Sequence, residues 1–442
     1  MDNKKEMIKP YLCIEQKQSV MKRFLILIFV GFHIASASAQ TLEECQSAAI
    51  SNYPVIKRYD LISQTTDFTV SNIQKGWLPQ ISAVAQATYQ SDVTSWPDEM
   101  RAMLSQTGVD IRGLKKDQYR VGVDINQTVY DGGRIKTQKE MAFLQGDVDR
   151  AQADVDIYAV RKRVNYLYFS ALMVDEQIRL AENMLGYMLS YEEKLESMYA
   201  NGTASLSDYN MIKAERLSVE QQITGLEAQR STLQYILETF CGMPVTKLVK
   251  PPVASVGNEN SRPELRYVDS QLRLLDMREK MLDTELLPLV SVFASGFYGY
   301  PGYNMFEDMM HHKWSLNGMV GMKVTWNIGA LYTRKSDLSK LNLQRSYAEN
   351  MRETFLFNNN MEQQQIRGNM ERYSKILSAD DEIIALRTSV RKASESRLSH
   401  GIIDVSELVK DIKTEHDAMV QKSIHEIELL KEMSELKYAV NG

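Results

Sequence analysis

Two prolines 25 residues apart occur twice in the sequence, at positions 54 and 79 and again at 263 and 288, so both pairs are displaced by 209 residues. Their surroundings agree, with Gly76-Trp77-Leu78-Pro79-Gln80-Ile81 answered by Glu285-Leu286-Leu287-Pro288-Leu289-Val290. Two further matches follow in the same order. Tyr130-Asp131 answers to Trp326-Asn327 at an offset of 196, and Gly202-x-x-x-Leu206-Ser207-Asp208 to Gly401-x-x-x-Val405-Ser406-Glu407 at an offset of 199. A longer loop near 91–117 than near 301–312 accounts for the drop in offset. A chain written twice folds as two similar units, here 40–241 and 261–442, joined by a linker at 242–260 that carries Pro244, Pro251 and Pro252.

Each copy has one order of elements. A helix opens at a capping box, Thr41-x-x-Glu44 or Ser261-x-x-Glu264, with Pro263 early in the second helix, and runs to about Lys75 or Glu285. A β-hairpin follows, at about 78–130 and 287–327. Helical stretches then run from Arg134 to about Ala200 and from about Leu331 to Ser399, turn at Gly202 or Gly401, and return to about 240 and 440. Residues 302–442 contain no proline, as very long helices require. Nearly 70 helical residues span about 100 Å at 1.5 Å each. Val405, Leu408, Ile412 and Met419 recur at three- and four-residue spacing amid Lys and Glu, which is a coiled-coil seam.

The strands alternate. In 119–130, Tyr119, Val121, Val123, Ile125 and Val129 face one way and Arg120, Asp124, Asn126 and Thr128 the other. Trp314, Leu316, Val320, Met322, Val324 and Trp326 oppose Ser315, Asn317, Lys323 and Thr325 in the fourth run, and Ile81, Ala83, Ala85, Ala87 and Tyr89 oppose Ser82, Gln86 and Thr88 in the first. The third run, 289–300, alternates less well, because Leu289, Phe293 and Phe297 fall on its expected polar face. Aromatic residues bracket the runs, with Trp77, Tyr130 and Trp326 toward the helices and Tyr89, Tyr298, Tyr300 and Trp314 toward the loops. Twelve residues of tilted strand give about 28 Å of height, the apolar band of a transmembrane barrel. Four strands cannot close, and open edges cannot stand in lipid. Two or more copies must therefore complete the barrel, its lumen lined by Arg120, Asp124, Asn126 and Lys323. The alternative is a half-buried sheet in a soluble protein.

Near the N-terminus, Lys22-Arg23, the apolar run from Phe24 to Ile34 and Ala37-Ser38-Ala39 form a secretory signal with cleavage before Gln40, so that 1–39 is an upstream extension plus signal peptide. The formal net charge is −5, and removal of a leader of net charge +3 leaves −8, which argues against a nucleic-acid partner. Cys45 and Cys241 remain after cleavage, too few for a disulfide framework; they either pair in an oxidising compartment or sit as ordinary buried thiols. The six histidines and the cysteines lack metal-site spacing, and no nucleophile elbow or complete phosphate loop occurs. No cofactor and no enzyme activity are expected.

The sequence resembles the TolC-like outer-membrane efflux proteins over essentially the whole chain from Gln40. The resemblance rests on Thr41-Leu42-Glu43-Glu44 to Asn52-Tyr53-Pro54, its echo Arg262-Pro263-Glu264-Leu265, the Leu-Pro pairs at 78–79 and 287–288, Tyr130-Asp131-Gly132-Gly133-Arg134, and the two glycine turns. It implies an α+β membrane protein, a homotrimer in which four strands per chain complete a 12-stranded β-barrel in outer-membrane lipid above a long coiled-coil α-barrel. It also implies a Gram-negative outer-membrane location, docking to a periplasmic adaptor (membrane fusion protein), and an inner-membrane transporter of RND, ABC or MFS type. The turn segments Gly202, Leu206, Ser207, Asp208 and Gly401, Val405, Ser406, Glu407 would then form the periplasmic tip and gate. The family's second tip acid is replaced by Lys410, with Asp411 one place beyond, and Ile328-Gly329-Ala330 stands where the first copy has Gly132-Gly133. Two functions are thus expected in order: a passive exit duct of an efflux or type I secretion system, or a soluble periplasmic coiled-coil scaffold.

Overall fold

The computed structural model describes residues 40–108, 113–252 and 260–441. The signal sequence expected in 1–39 and part of the expected linker lie outside them. The first copy consists of α1 (Leu42–Asn52), α2 (Lys57–Gln74), β1 (Gln80–Tyr89), α3 (Asp98–Gln106), β2 (Asp117–Tyr130), α4 (Arg134–Ala200) and α5 (Leu206–Cys241). The second consists of α6 (Pro263–Glu285), β3 (Leu289–Tyr300), α7 (Met305–His311), β4 (Ser315–Thr325), α8 (Ala330–Ser399) and α9 (Val405–Asn441). The described residues gather into two compact units, each drawing on both copies: 40–52, 163–252 and 370–434 in one, and 53–162, 260–369 and 435–441 in the other.

The first expected helix is in fact two. Pro54 lacks the N–H that would continue the backbone ladder, and a 3-10 turn, Pro54–Ile56, separates α1 from α2. At the matching position of the second copy Pro263 starts α6, where that missing donor costs nothing. The Thr41 capping box forms: Glu44 N–H donates to Thr41 Oγ1 at 3.2 Å and Thr41 N–H to Glu44 Oε2 at 2.9 Å. The Ser261 box does not. Arg262 takes the N-cap position without a side-chain cap and holds the Glu264 carboxylate, while Ser261 N–H donates to the Val440 carbonyl. A charge-assisted bond to a guanidinium displaces the weaker backbone cap. The Arg262 guanidinium also lies 4.1 Å from the Tyr158 ring centre.

The sheet is antiparallel throughout, in the order β1-β2-β3-β4. Registers such as Ser82↔Asp124, Gly122↔Phe297 and Phe293↔Gly321 put like faces together across all four strands. They also explain the irregular third run. Phe297 lies over Gly122 and Phe293 over Gly321, each so close that a Cβ added at the glycine would come within 2.6 Å of the ring residue. The two aromatic residues on the polar face thus cover bare cross-strand backbone. Between Thr128 and Tyr130 the register shifts, so that Tyr130 rather than Val129 opposes Val290. This bulge turns Tyr130 onto the apolar face, against its even-numbered position in the alternation.

In the unit that holds the hairpin turns, α4, α5 and α9 each bury a stripe in a common cluster. Met184, Met188 and Leu195 of α4, Ile212 and Val219 of α5, and Val405, Leu408, Val409 and Ile412 of α9 form one cluster. Val405, Leu408 and Ile412 of the seam read from α9 lie in this packing face, whereas Met419 is half-buried outside the cluster.

Candidate functional site

The sheet presents two unlike faces. On one, Ile81, Val121, Leu316, Val320, Met322 and Val324 stand exposed, Leu316 at 83% and Val320 at 80%. A patch of this extent has no place on the surface of an isolated soluble chain. Aromatic residues bound it. Trp77, Tyr130 and Trp326 are exposed toward the helices, and Trp326 Nε1 donates to the Leu286 carbonyl at 2.9 Å. Toward the loops, Tyr119 stacks on Trp314 with ring centres 5.9 Å apart and Tyr298 lies 5.4 Å from Trp314. Such residues pair an apolar ring with a polar handle, as a membrane–water boundary demands.

Tyr300, expected in this outer girdle, is instead buried with Leu114 and Met309 beneath Val93 and Trp96. Its hydroxyl accepts from the Lys115 N–H at 2.9 Å, and its ring meets His312 edge-on. His312 Nε2 donates to the Gly113 carbonyl at 2.7 Å. The loops carrying α3 and α7 therefore pack on each other, and Tyr119 takes the girdle position that Tyr300 gives up.

On the other face Arg120, Asp124, Asn126 and Lys323 project to the same side. Arg120 donates to Ser295 Oγ at 2.8 Å, lies 3.6 Å from Asp124 and stacks on Phe297 at 4.3 Å. Lys323 opposes Ser291, and Asn126 lies between Gln80 and Phe293. β1 and β4 each have one edge with no strand beside it among the described residues.

The hairpin turns repeat in detail. Gly202 has φ +73° and Gly401 φ +70°. Thr203 N–H bonds the Met198 carbonyl and Gly202 N–H that of Tyr199; Ile402 and Gly401 bond Arg397 and Leu398 in the same pattern. This double bond is the Schellman ending, which needs a left-handed residue. After the turn the copies diverge. Ser205, which the motif reading passed over, caps α5: its Oγ accepts from Asp208 N–H at 3.1 Å, and Asp208 Oδ2 accepts from Ser205 N–H at 3.2 Å. Glu407 instead meets Arg397 at 3.3 Å and stays exposed. Ser207 and Ser406 are exposed, whereas Leu206 is 51% exposed and its counterpart Val405 only 4%. Asp411 accepts from Ser394 Oγ at 2.6 Å, closing its own hairpin.

Between two and three helical turns from the hairpin turns lies an ion-pair device that the sequence reading missed. Glu192 on α4 holds Arg216 on α5, and Arg391 on α8 holds Glu415 on α9. The 199-residue offset carries 192 to 391 and 216 to 415, so the copies use the same two positions with the charges exchanged. Each arginine is also clamped by a carboxylate one turn along its own helix, Glu220 or Glu395. Burial opposes charge on Arg391, but the Glu415 and Glu395 carboxylates outweigh it and hold the guanidinium above its usual range.

A family model described as outer membrane efflux protein matches residues 62–242, from α2 to the end of α5. None of the curated proteins matches the chain in sequence. Among solved structures, the outer-membrane channel OprN is similar at 14% identity and TM-score 0.65, over 91% of this chain and 90% of that one. CusC, solved in a study of folding and transmembrane channel formation, is similar at 12% identity and TM-score 0.67, over 92% and 93%. The outer-membrane channel MtrE of Neisseria gonorrhoeae, in its open state, is similar at 14% identity and TM-score 0.63, over 91% and 89%. The resemblance to TolC-like outer-membrane efflux proteins drawn from the motifs is thereby borne out, and the fold is that of these channels.

Proposed function

We propose that the chain is the outer-membrane exit duct of a tripartite efflux or type I secretion system, passively passing substrates delivered by an inner-membrane pump through a periplasmic adaptor. One observation carries the reading: a four-stranded sheet with an exposed, aromatic-bounded apolar face on one side, Arg120, Asp124, Asn126 and Lys323 on the other, and an unpaired edge at β1 and β4. Three copies joined edge to edge complete twelve strands and leave no backbone group unpaired in lipid. The apolar faces then meet hydrocarbon and the polar faces line water. The Gly202 and Gly401 turns form the periplasmic tip, where opening requires the hairpins to splay, and Glu407 and Asp208 contribute acid to the constriction. Selectivity for cargo lies with the pump.

Fractionation and planar-bilayer recording test this together. A detergent-requiring, heat-modifiable oligomer from the outer membrane that conducts ions, with conductance or cation preference altered by Glu407→Gln and Asp208→Asn, is the expected result. Release as a soluble species by osmotic shock refutes the duct and supports the scaffold; unchanged currents in both variants refute the gate assignment.

A further inference from the structure

The two cysteines of a chain beginning at Gln40 are separated by 196 residues and meet in the fold. Cys45, in the first turn of α1, is fully buried, and Cys241, the last residue of α5, is 4% exposed. Cys241 Sγ lies 3.4 Å from the Cys45 carbonyl, so the second side chain reaches the backbone of the first cysteine, and both thiols are free and buried. Fixed contacts on both sides hold them there. Beyond Cys45, the Asn52 side chain donates to the carbonyls of Thr239 and Phe240 at 3.1 and 3.2 Å and sits against Gly242, the left-handed residue that ends α5. Before it, Gln40 bridges to Leu248, and the Tyr168 hydroxyl bonds both the Gln40 and Val249 carbonyls at 2.8 and 2.6 Å. The docking of α1 on α5 is what brings Cys241 against Cys45.

We propose that Cys45 and Cys241 form an intramolecular disulfide in the exported chain, stapling the start of the first copy to the end of its last helix; the proposal rests on the export reading given above. The step is a two-electron thiol–disulfide exchange. One thiolate attacks the disulfide of a dithiol oxidant of the oxidising compartment, giving a mixed disulfide and one oxidant thiol. The second thiolate displaces the remaining oxidant sulfur, so that the Sγ–Sγ bond forms, the oxidant leaves as its dithiol, and the two thiol protons are released or taken up there. Because both sulfurs are sealed in the fold, exchange precedes the final docking of α1, and the finished bond is shielded from reductant.

The test counts thiols in the full chain, exported and purified from the envelope, after denaturation in excess maleimide. The expected result is no label without reductant and two labels after dithiothreitol, with a processed N-terminus at Gln40. A processed chain that takes two labels without reductant overturns the staple and leaves the export reading standing. A chain found unprocessed in the cytosol overturns the export reading instead; the purified chain, refolded with glutathione disulfide, then decides the staple. Closure of Cys45 with Cys241, leaving an adduct at Cys13 alone, supports it, and stable glutathione adducts on Cys45 or Cys241 overturn it.

Discussion

Replacing Val320 by arginine separates a sheet that meets lipid from one that meets water. Val320 is the central residue of β4, six residues from Trp314 and six from Trp326. At about 3.4 Å per residue it stands about 20 Å along the strand from each aromatic boundary, or about 14 Å in depth at a 45° tilt. That is the middle of the apolar band, and its side chain is 80% exposed in the single chain. An arginine on the lipid face at this depth costs about 2–4 kcal/mol, a shift of roughly 30- to 700-fold in the folding equilibrium. An exposed position facing water would change stability by no more than about 0.5 kcal/mol. Ser82→Arg is the control, since Ser82 lies on the opposite face across from Asp124 and tolerates the same side chain within about 0.5 kcal/mol. The assay is a urea titration of folding into lipid vesicles, read by the mobility of unheated samples. Equal midpoints for Val320→Arg and wild type would refute the assignment of that face to hydrocarbon.

Three further outcomes follow from the helical hairpins. Arg391→Ala leaves Glu415, 6% exposed as a side chain, buried without its partner and costs about 3–5 kcal/mol; the exchange Arg391→Glu with Glu415→Arg, which copies the first repeat's arrangement, recovers most of that loss in a double-mutant cycle. Gly401→Ala meets no neighbouring atom but must hold φ at +70°, so denaturant unfolding should show a loss of about 1–2 kcal/mol from backbone strain alone. Burial lowers the His416 pKa, with Asp417 opposing the shift. The unfolded chain therefore takes up a proton first as pH falls through 6.5, and stability is lost from there down to the folded value. Urea midpoints at pH 7.5 and 5.5 should differ more in wild type than in His416→Gln.

The duplicated order, the strand alternation and the glycine turns were legible because each is a local period or a proline or glycine constraint. What the sequence concealed depends on partners far along the chain. Phe293 and Phe297 break the alternation only until register shows the glycines they cover. Tyr130 reaches the apolar face through a bulge, and Tyr300 leaves the girdle because two loops close over it. The second capping box fails because Arg262 supplies a stronger partner for Glu264. Of the turn acids, Asp208 is engaged by Ser205, a residue visible in the sequence as a cap at the last unspecified place of the motif, just before Leu206. The exchanged pairs at 192/216 and 391/415 were also legible, had the two copies been aligned by charge as well as by shape.

Native mass spectrometry of the signal-processed protein extracted from the envelope weighs the central claim most directly. Three chains held together in a detergent micelle, dissociating only on heating, are the predicted species. A single chain that stays folded and dispersed with no detergent present would contradict it.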